Sequence, residues 1–196
     1  MCRILFLTNN VNTESLYNWL CANNSYVFRS KEKLTEETID KYNPDIVICY
    51  NYRYIISSEV IKKMSGNIVN LHISYLPWNR GANPNFWSFV DDTPKGVTIH
   101  YIDEELDKGS IIAQKQIDFD EKDETFESTY SKLNTEIVEL FKCNWENIKN
   151  KTVNYSKTEE KGSYHNMEEF LKIKKEIGFS WDENIADFLE RYRKNE

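Results

Sequence analysis

The chain has 196 residues, of which 40% are hydrophobic, 14% aromatic and 29% charged, a composition that excludes disorder throughout and supplies one domain with a core plus a tail. Its 32 acidic against 25 basic residues leave a net charge of −7, which repels polyphosphate and argues against nucleic acid as a partner. Four cysteines, Cys2, Cys21, Cys49 and Cys143, lack any C-x-x-C spacing and read as buried thiols of a reducing compartment; with no apolar run near ~18 residues, neither a signal peptide nor a membrane span is expected, and the location expected is cytoplasmic.

Arg3 to Thr8 is a continuous apolar run, the pattern of a strand covered on both faces. Polar Asn9-Asn10-Val11-Asn12 follows, and Asn12 or Thr13 caps a helix carrying Leu16, Trp19 and Leu20 at helical spacing. No G-x-G-x-x-G stands at this turn, so a dinucleotide site lacks support. Tyr26 to Phe28 reads as a strand, Thr35 to Tyr42 as a short helix stopped by Pro44, and Asp45 to Tyr50 as a second buried strand. A helix from Ser57 to Met64 and a strand from Asn67 to His72 complete an alternation that predicts a doubly wound, mostly parallel α/β fold.

Leu76-Pro77 ends that strand and Arg80-Gly81 signals a loop. Asn83-Pro84 opens a helix whose Phe86, Trp87, Phe89 and Val90 read as core rather than as a stacking platform. Gly96 to Ile102 and Ser110 to Ile117 are strands joined by the acidic turn Asp103 to Gly109. Thr125 to Asn150 is the longest helix, with Phe126, Leu133, Ile137, Leu140, Phe141 and Ile148 near one face. From Lys151 the composition turns polar, so the expected organisation is a domain over 1–150 and a tail over 151–196. The tail holds a turn at Gly162-Ser163-Tyr164-His165 and helices at Met167–Ile177 and Glu183–Tyr192, and packs on the domain or on a neighbour.

The strand end at Asn70, His72 and the loop after it is the place for chemistry, because alternate residues share a strand face and polar loops at strand ends hold the sites of open α/β sheets. Of the three histidines, His100 reads as a sheet side chain and His165 as part of the tail; His72 differs because it shares a strand face with Asn70. No zinc-ligand set, no nucleophile elbow around Ser74 and no phosphate-cradling glycine loop is present, so no metal is expected. What remains is acyl transfer without a covalent intermediate, using an amide donor, an imidazole and a carboxylate. Asp107 is the preferred carboxylate, with Asp103, Glu104 and Glu105 as competitors in the same turn.

Asn70-Leu71-His72, Ser74 to Pro77, Arg80-Gly81, Gly96-Val97-Thr98-Ile99 and Leu106-Asp107-Lys108-Gly109 together resemble the folate-dependent formyltransferase family over Arg3 to Ile117. The resemblance implies a Rossmann-like formyltransferase domain with a short helical tail, N10-formyltetrahydrofolate as co-substrate, and Asn70, His72 and Asp107 as the catalytic set. It also implies that the pterin meets Tyr54, Ile55 and Ile56 and the segment Ile102, Asp103 and Glu104, although Ile55 and Ile56 read equally as core.

Asn83-Pro84-Asn85-Phe86-Trp87 and Tyr50 to Ile56 resemble the sugar N-formyltransferases most closely, which implies a nucleotide-linked amino sugar as the amine and a homodimer. On that likeness Asn9, Asn10, Trp78, Asn79 and Arg80 are candidate substrate contacts, Arg80 for a pyrophosphate or carboxylate or else as a pin for its loop. The alternatives are a glycinamide ribonucleotide or other small-amine formyltransferase, weakened by the glycine-free first loop, and a non-catalytic folate-binding relative. A tRNA formyltransferase would carry a further basic domain.

Overall fold

The apolar runs of the N-terminal half are strands covered on both faces. The structure, a computed structural model, describes residues 2–154, 156 and 161–195. In chain order it contains β1 (Arg3–Leu7), α1 (Glu14–Asn23), β2 (Tyr26–Ser30), α2 (Glu36–Tyr42), β3 (Ile46–Tyr50), α3 (Ser58–Lys63) and β4 (Ile68–His72). There follow β5 (Arg80–Gly81), α4 (Pro84–Val90), β6 (Gly96–Tyr101), β7 (Ile111–Gln116), α5 (Phe126–Asn150), β8 (Tyr164–His165), α6 (Met167–Glu176) and α7 (Ile185–Arg193).

The six-stranded sheet has the order β2-β1-β3-β4-β6-β7. Its first four strands are parallel, with Ile4 beside Val27 and Ile46, and Val47 beside Ile68. Parallel pairing requires crossovers over the faces, and these bury Ile4 to Leu7 and all of β3. It also delivers the ends of β1, β3 and β4 to one edge of the sheet, where Asn9, Asn51 and His72 emerge. β6 and β7 form an antiparallel pair, closed by Tyr101 N–H to the Ser110 carbonyl (2.9 Å) and Ile117 N–H to the Lys95 carbonyl (2.9 Å). The mostly parallel sheet with flanking helices is the fold the alternation predicts.

Helix ends follow local chemistry. The Thr35 hydroxyl accepts from Thr38 N–H at 3.3 Å to start α2, and Asn43 at φ 42° ends it before Pro44. In the tail, Asn166 and Glu169 form a reciprocal capping box on α6, and Asn184 accepts from Asp187 N–H at 3.2 Å to open α7. Among the described residues no helix is long and apolar enough to cross a membrane.

The chain falls into two compact units, the first made of Met1–His72, Ile99–Ala113 and Phe141–Lys157, the second of Ile73–Thr98, Gln114–Leu140 and Thr158–Glu196. In the first unit Leu5, Leu7, Val47, Cys49, Val60, Ile61 and Ile68 form one core. Of the cysteines only Cys49 is buried; Cys2 is half-buried and Cys21 and Cys143 are exposed, so the expectation of buried thiols holds for one position. A cysteine on the outer face of a helix satisfies helical periodicity as well as one on the inner face, and spacing alone did not separate them.

The second unit is organised around Phe86, which is fully buried. Its ring meets those of Trp87, Phe126, Phe170, Phe179 and Phe188 at centroid distances of 5.2, 5.5, 5.0, 5.1 and 5.5 Å. The aromatic face of α4 is therefore core, and the tail helices supply much of its cover. A further two-stranded pairing, β5 with β8, stands where the sequence suggests only a loop and a turn. Phe86→Ala should cost about 3–5 kcal/mol in denaturant unfolding, since five rings would lose a common partner. A loss below about 1 kcal/mol would contradict its central place in that core.

Candidate active site

Asn70 and His72 lie two residues apart on β4, so their side chains leave the same face. β6 passes alongside in the opposite sense. Ile102 N–H donates to the Ile68 carbonyl at 2.8 Å, which sets residue 100 level with residue 70. His100 is thereby brought against Asn70, with 3.1 Å between Asn70 Nδ2 and His100 Nε2. Asp107 comes from the acidic turn with φ 51°. One carboxylate oxygen lies 3.5 Å from Asn70 Nδ2 and from His100 Nε2, and the other 3.8 Å from His72 Nε2. The first unit thus brings together Asn70, His72 and Asp107, and adds His100.

Gly109 lets the acidic turn close. A Cβ there would stand 1.7 Å from the Tyr101 carbonyl oxygen, so no other residue lets the returning backbone lie on that peptide. The same carbonyl accepts from His100 Nδ1 at 2.8 Å. One peptide group therefore fixes both the turn that presents Asp107 and the ring that faces Asn70.

That geometry also sets the protonation of His100. The residue is 1% exposed, and burial first, then the nearby His72, push its pKa down from 6.5 to about 4, against an upward pull from Asp107. With its single proton on Nδ1, the ring offers Nε2 as an acceptor for the Asn70 amide. A second proton would set two donors face to face. The 3.5 Å approach of Asp107 to Nε2 has the separation of an ion pair. At neutral pH it is not one, because the ring carries no charge. His72 and Asp107 retain side-chain exposures of 10% and 8%, so both reach the surface while standing largely out of water.

The residues matched to the pterin lie along the same unit. Ile56 is buried, whereas Ile55 is 76% exposed, so the reading of both as core holds for Ile56 alone. Tyr54 is half-buried and its hydroxyl accepts from the Arg53 guanidinium at 2.5 Å. Ile102 packs on the first unit's core, Asp103 accepts from Glu104 N–H at 2.6 Å, and Glu104 pairs with Lys62 at 3.3 Å. Asn9 joins loops: its amide donates to the Lys31 carbonyl at 2.7 Å and accepts from Arg53 N–H at 3.1 Å. Asn10 accepts from Asn12 N–H at 3.3 Å.

In the second unit Asn79 is fully buried at φ 55°, donating to the Thr93 hydroxyl at 2.7 Å and accepting from the Ser163 hydroxyl at 3.1 Å. Trp78 and Arg80 are half-exposed. Arg80 donates to the main-chain carbonyls of Ser163 (3.2 Å) and Lys161 (3.1 Å). His100 is the site residue that sequence reasoning passed over. Thr98 and His100 alternate in an otherwise apolar strand, and buried polar side chains at that spacing require partners, which is the signal available for it.

The family described as Formyl transferase matches residues 12–142 of the chain. Among solved structures, the formyltransferase PseJ from Anoxybacillus kamchatkensis, in complex with UDP-4,6-dideoxy-4-formamido-L-AltNAc and tetrahydrofolate, is 37% identical, with a TM-score of 0.86 over 95% of this chain and 97% of that one. The bifunctional polymyxin resistance protein ArnA of Wigglesworthia glossinidia brevipalpis is 38% identical over 96 residues, 48% of this chain and 14% of its own. A methionyl-tRNA formyltransferase of Ehrlichia ruminantium (strain Welgevonden) is 32% identical over 152 residues, 76% of this chain and 49% of its own. The chain thus covers half or less of the length of these two curated relatives.

The depressed pKa of His100 has a measurable consequence. Its value is about 4 folded against 6.5 unfolded, so between these the unfolded chain binds the proton more tightly. Stability from this group is complete above pH 6.5 and is lost as pH falls toward 4, by on the order of 3 kcal/mol. Denaturant unfolding at about pH 7 and about pH 4.5 should show a smaller acid loss for His100→Leu than for the wild type. Equal losses would mean that His100 is not held neutral by the fold.

Proposed function

The chain belongs to the formyl transferase family, and from that premise we propose that it moves a formyl group from N10-formyltetrahydrofolate to the amino group of a nucleotide-linked amino-deoxysugar. The likeness to PseJ carries the choice of both substrates, since that protein was crystallised with a UDP-linked formamido sugar and tetrahydrofolate. The convergence of Asn70, His72 and Asp107 supports direct transfer. The exposed apolar side chain of Ile55, on one of the two segments matched to the pterin, suits a flat aromatic donor.

In this reading the substrate amine attacks the formyl carbon, forming the new C–N bond as the carbonyl electron pair moves to oxygen. Asn70 has two amide N–H groups. His100 takes one at 3.1 Å, and the second makes only the 3.5 Å contact to Asp107, leaving it available to the developing oxyanion. His72 supports the same oxygen and carries the proton lost by the amine to N10 of the folate, whose bond to the formyl carbon breaks as the carbonyl re-forms. Asp107, at 3.8 Å, stands opposite the positive charge that the ring carries while that proton is in transit. Asn9 and Asn79 brace their loops, and the exposed Asn10 and half-exposed Trp78 and Arg80 are the candidate contacts of the amine substrate.

A second reading, an aminoacyl-tRNA amine, has the Ehrlichia ruminantium likeness behind it and the net charge of −7 against it. Release of tetrahydrofolate with a panel of UDP- and dTDP-linked 3-amino and 4-amino deoxysugars, beside charged initiator tRNA, separates the two. Turnover of a nucleotide sugar supports the proposal, and turnover of the tRNA alone overturns it. Against the substrate found, His72→Ala and Asp107→Ala should each reduce kcat by at least about 100-fold while melting cooperatively. A rate near wild type in either would remove the assigned roles.

A further inference from the structure

The segment Gly162 to His165 is used by none of the chemistry above, yet it is bonded throughout to the loop that carries Arg80. Ser163 N–H donates to the Pro77 carbonyl at 3.2 Å, Arg80 N–H to the Ser163 carbonyl at 3.1 Å, and Ala82 N–H to the His165 carbonyl at 2.9 Å. Asn79 N–H donates to the Ser163 hydroxyl at 2.8 Å. The far end of β8 is fixed as firmly: His165 stacks on Trp87 with centroids 3.9 Å apart and planes 8° from parallel, and its Nε2 lies 2.7 Å from Asp91. Between the half-buried Ser163 and His165 stands Tyr164, 51% exposed.

A lone exposed tyrosine is ordinary. This one is the register partner of Arg80, so the two residues are neighbours across one ribbon, with the guanidinium turned to the Ser163 and Lys161 carbonyls. The ring lies close over Gly81: a Cβ at 81 would stand 2.8 Å from Tyr164 Cε2 and 2.3 Å from the His165 carbonyl oxygen, and φ there is 91°. Glycine thus brings the ring against the backbone. The guanidinium is oriented by two neutral carbonyls, which hold its plane without neutralising its charge. An exposed aromatic ring and an oriented guanidinium on paired residues match a nucleoside diphosphate, which needs stacking for the base and a forked donor for the phosphates.

We propose that Tyr164 and Arg80 form the subsite for the nucleoside diphosphate part of the amine substrate, Tyr164 under the base and Arg80 on the diphosphate. This rests on the nucleotide-linked substrate proposed above and assigns the recognition of its nucleotide to the C-terminal segment. The loop is preorganised by that segment, so binding need not order it first.

Calorimetric titration of UDP and of dTDP into the full chain tests the assignment. Tyr164→Ser should weaken the better-bound nucleotide by about tenfold or more, whereas Tyr164→Phe, which keeps the ring, should stay within about twofold. Tetrahydrofolate affinity should be the same in all three proteins, which controls for folding. If the wild type binds a nucleoside diphosphate and Tyr164→Ser binds it equally well, the subsite is overturned and the nucleotide-linked substrate stands. If the wild type binds tetrahydrofolate but neither UDP nor dTDP, the nucleotide-linked substrate itself falls, and the subsite with it.

Discussion

The hydrogen bond between the Asn70 amide and a neutral His100 is the interaction on which the candidate active site depends. It exists because β6 runs against β4 with residue 100 level with residue 70, and because the Tyr101 carbonyl holds the ring's proton on Nδ1. Without an acceptor at Nε2 the carboxamide would be free to turn over, exchanging its N–H groups for its oxygen at little steric cost. The fold therefore decides which end of Asn70 faces Asp107. Gly109 belongs to the same construction, since it allows the loop bearing Asp107 to rest on the peptide that holds His100.

The second unit uses backbone contact to similar effect. Gly81 admits the Tyr164 ring and the His165 carbonyl, and the hydrogen bonds from Pro77 to Ala82 turn a loop that begins at a strand end into one edge of a two-stranded ribbon. The C-terminal residues are thus part of the fold: α6 and α7 supply Phe170, Phe188 and Leu189 to the core around Phe86, while β8 braces the loop of Asn79 and Arg80. Asn79 illustrates the difference between adjacency in sequence and access in space. It sits between two half-exposed residues, yet its own side chain is wholly enclosed between Thr93 and Ser163.

Much of this was legible in the sequence because periodicity records burial. Continuous apolar runs gave β1 and β3, and polar residues at alternate positions marked Asn70 and His72 on β4, whereas the choice of Asp107 within its acidic turn came with the family resemblance. The β5–β8 pairing was not legible, because two-residue strands separated by more than eighty residues leave no periodic trace and their bonds are mostly main-chain. His100 was visible as a residue but not as a partner. A histidine in a strand is identical in sequence whether it fills space or accepts a hydrogen bond, and only the register of β6 against β4 separates the two. The cysteines failed for a related reason: a helix shows its period in sequence, but which face turns inward is set by what packs against it.

Two imidazoles beside one carboxylate raise a question of charge that the geometry answers. Were both rings to titrate near their ordinary value, the acidic form of the site would set two cations 6.2 Å apart in a largely dry place with a single aspartate between them. Burial resolves this by separating the roles. His100, 1% exposed and tied to Tyr101, is kept neutral and serves as an acceptor; His72, with its side chain 10% exposed and 3.8 Å from Asp107, is the ring to which the proposed transfer assigns the moving proton. In the proposed transfer that division leaves Asp107 opposite one transient cation, so its charge acts on the ring that moves the proton. A residue that takes no part in the bond changes therefore keeps a second positive charge away from the two that do.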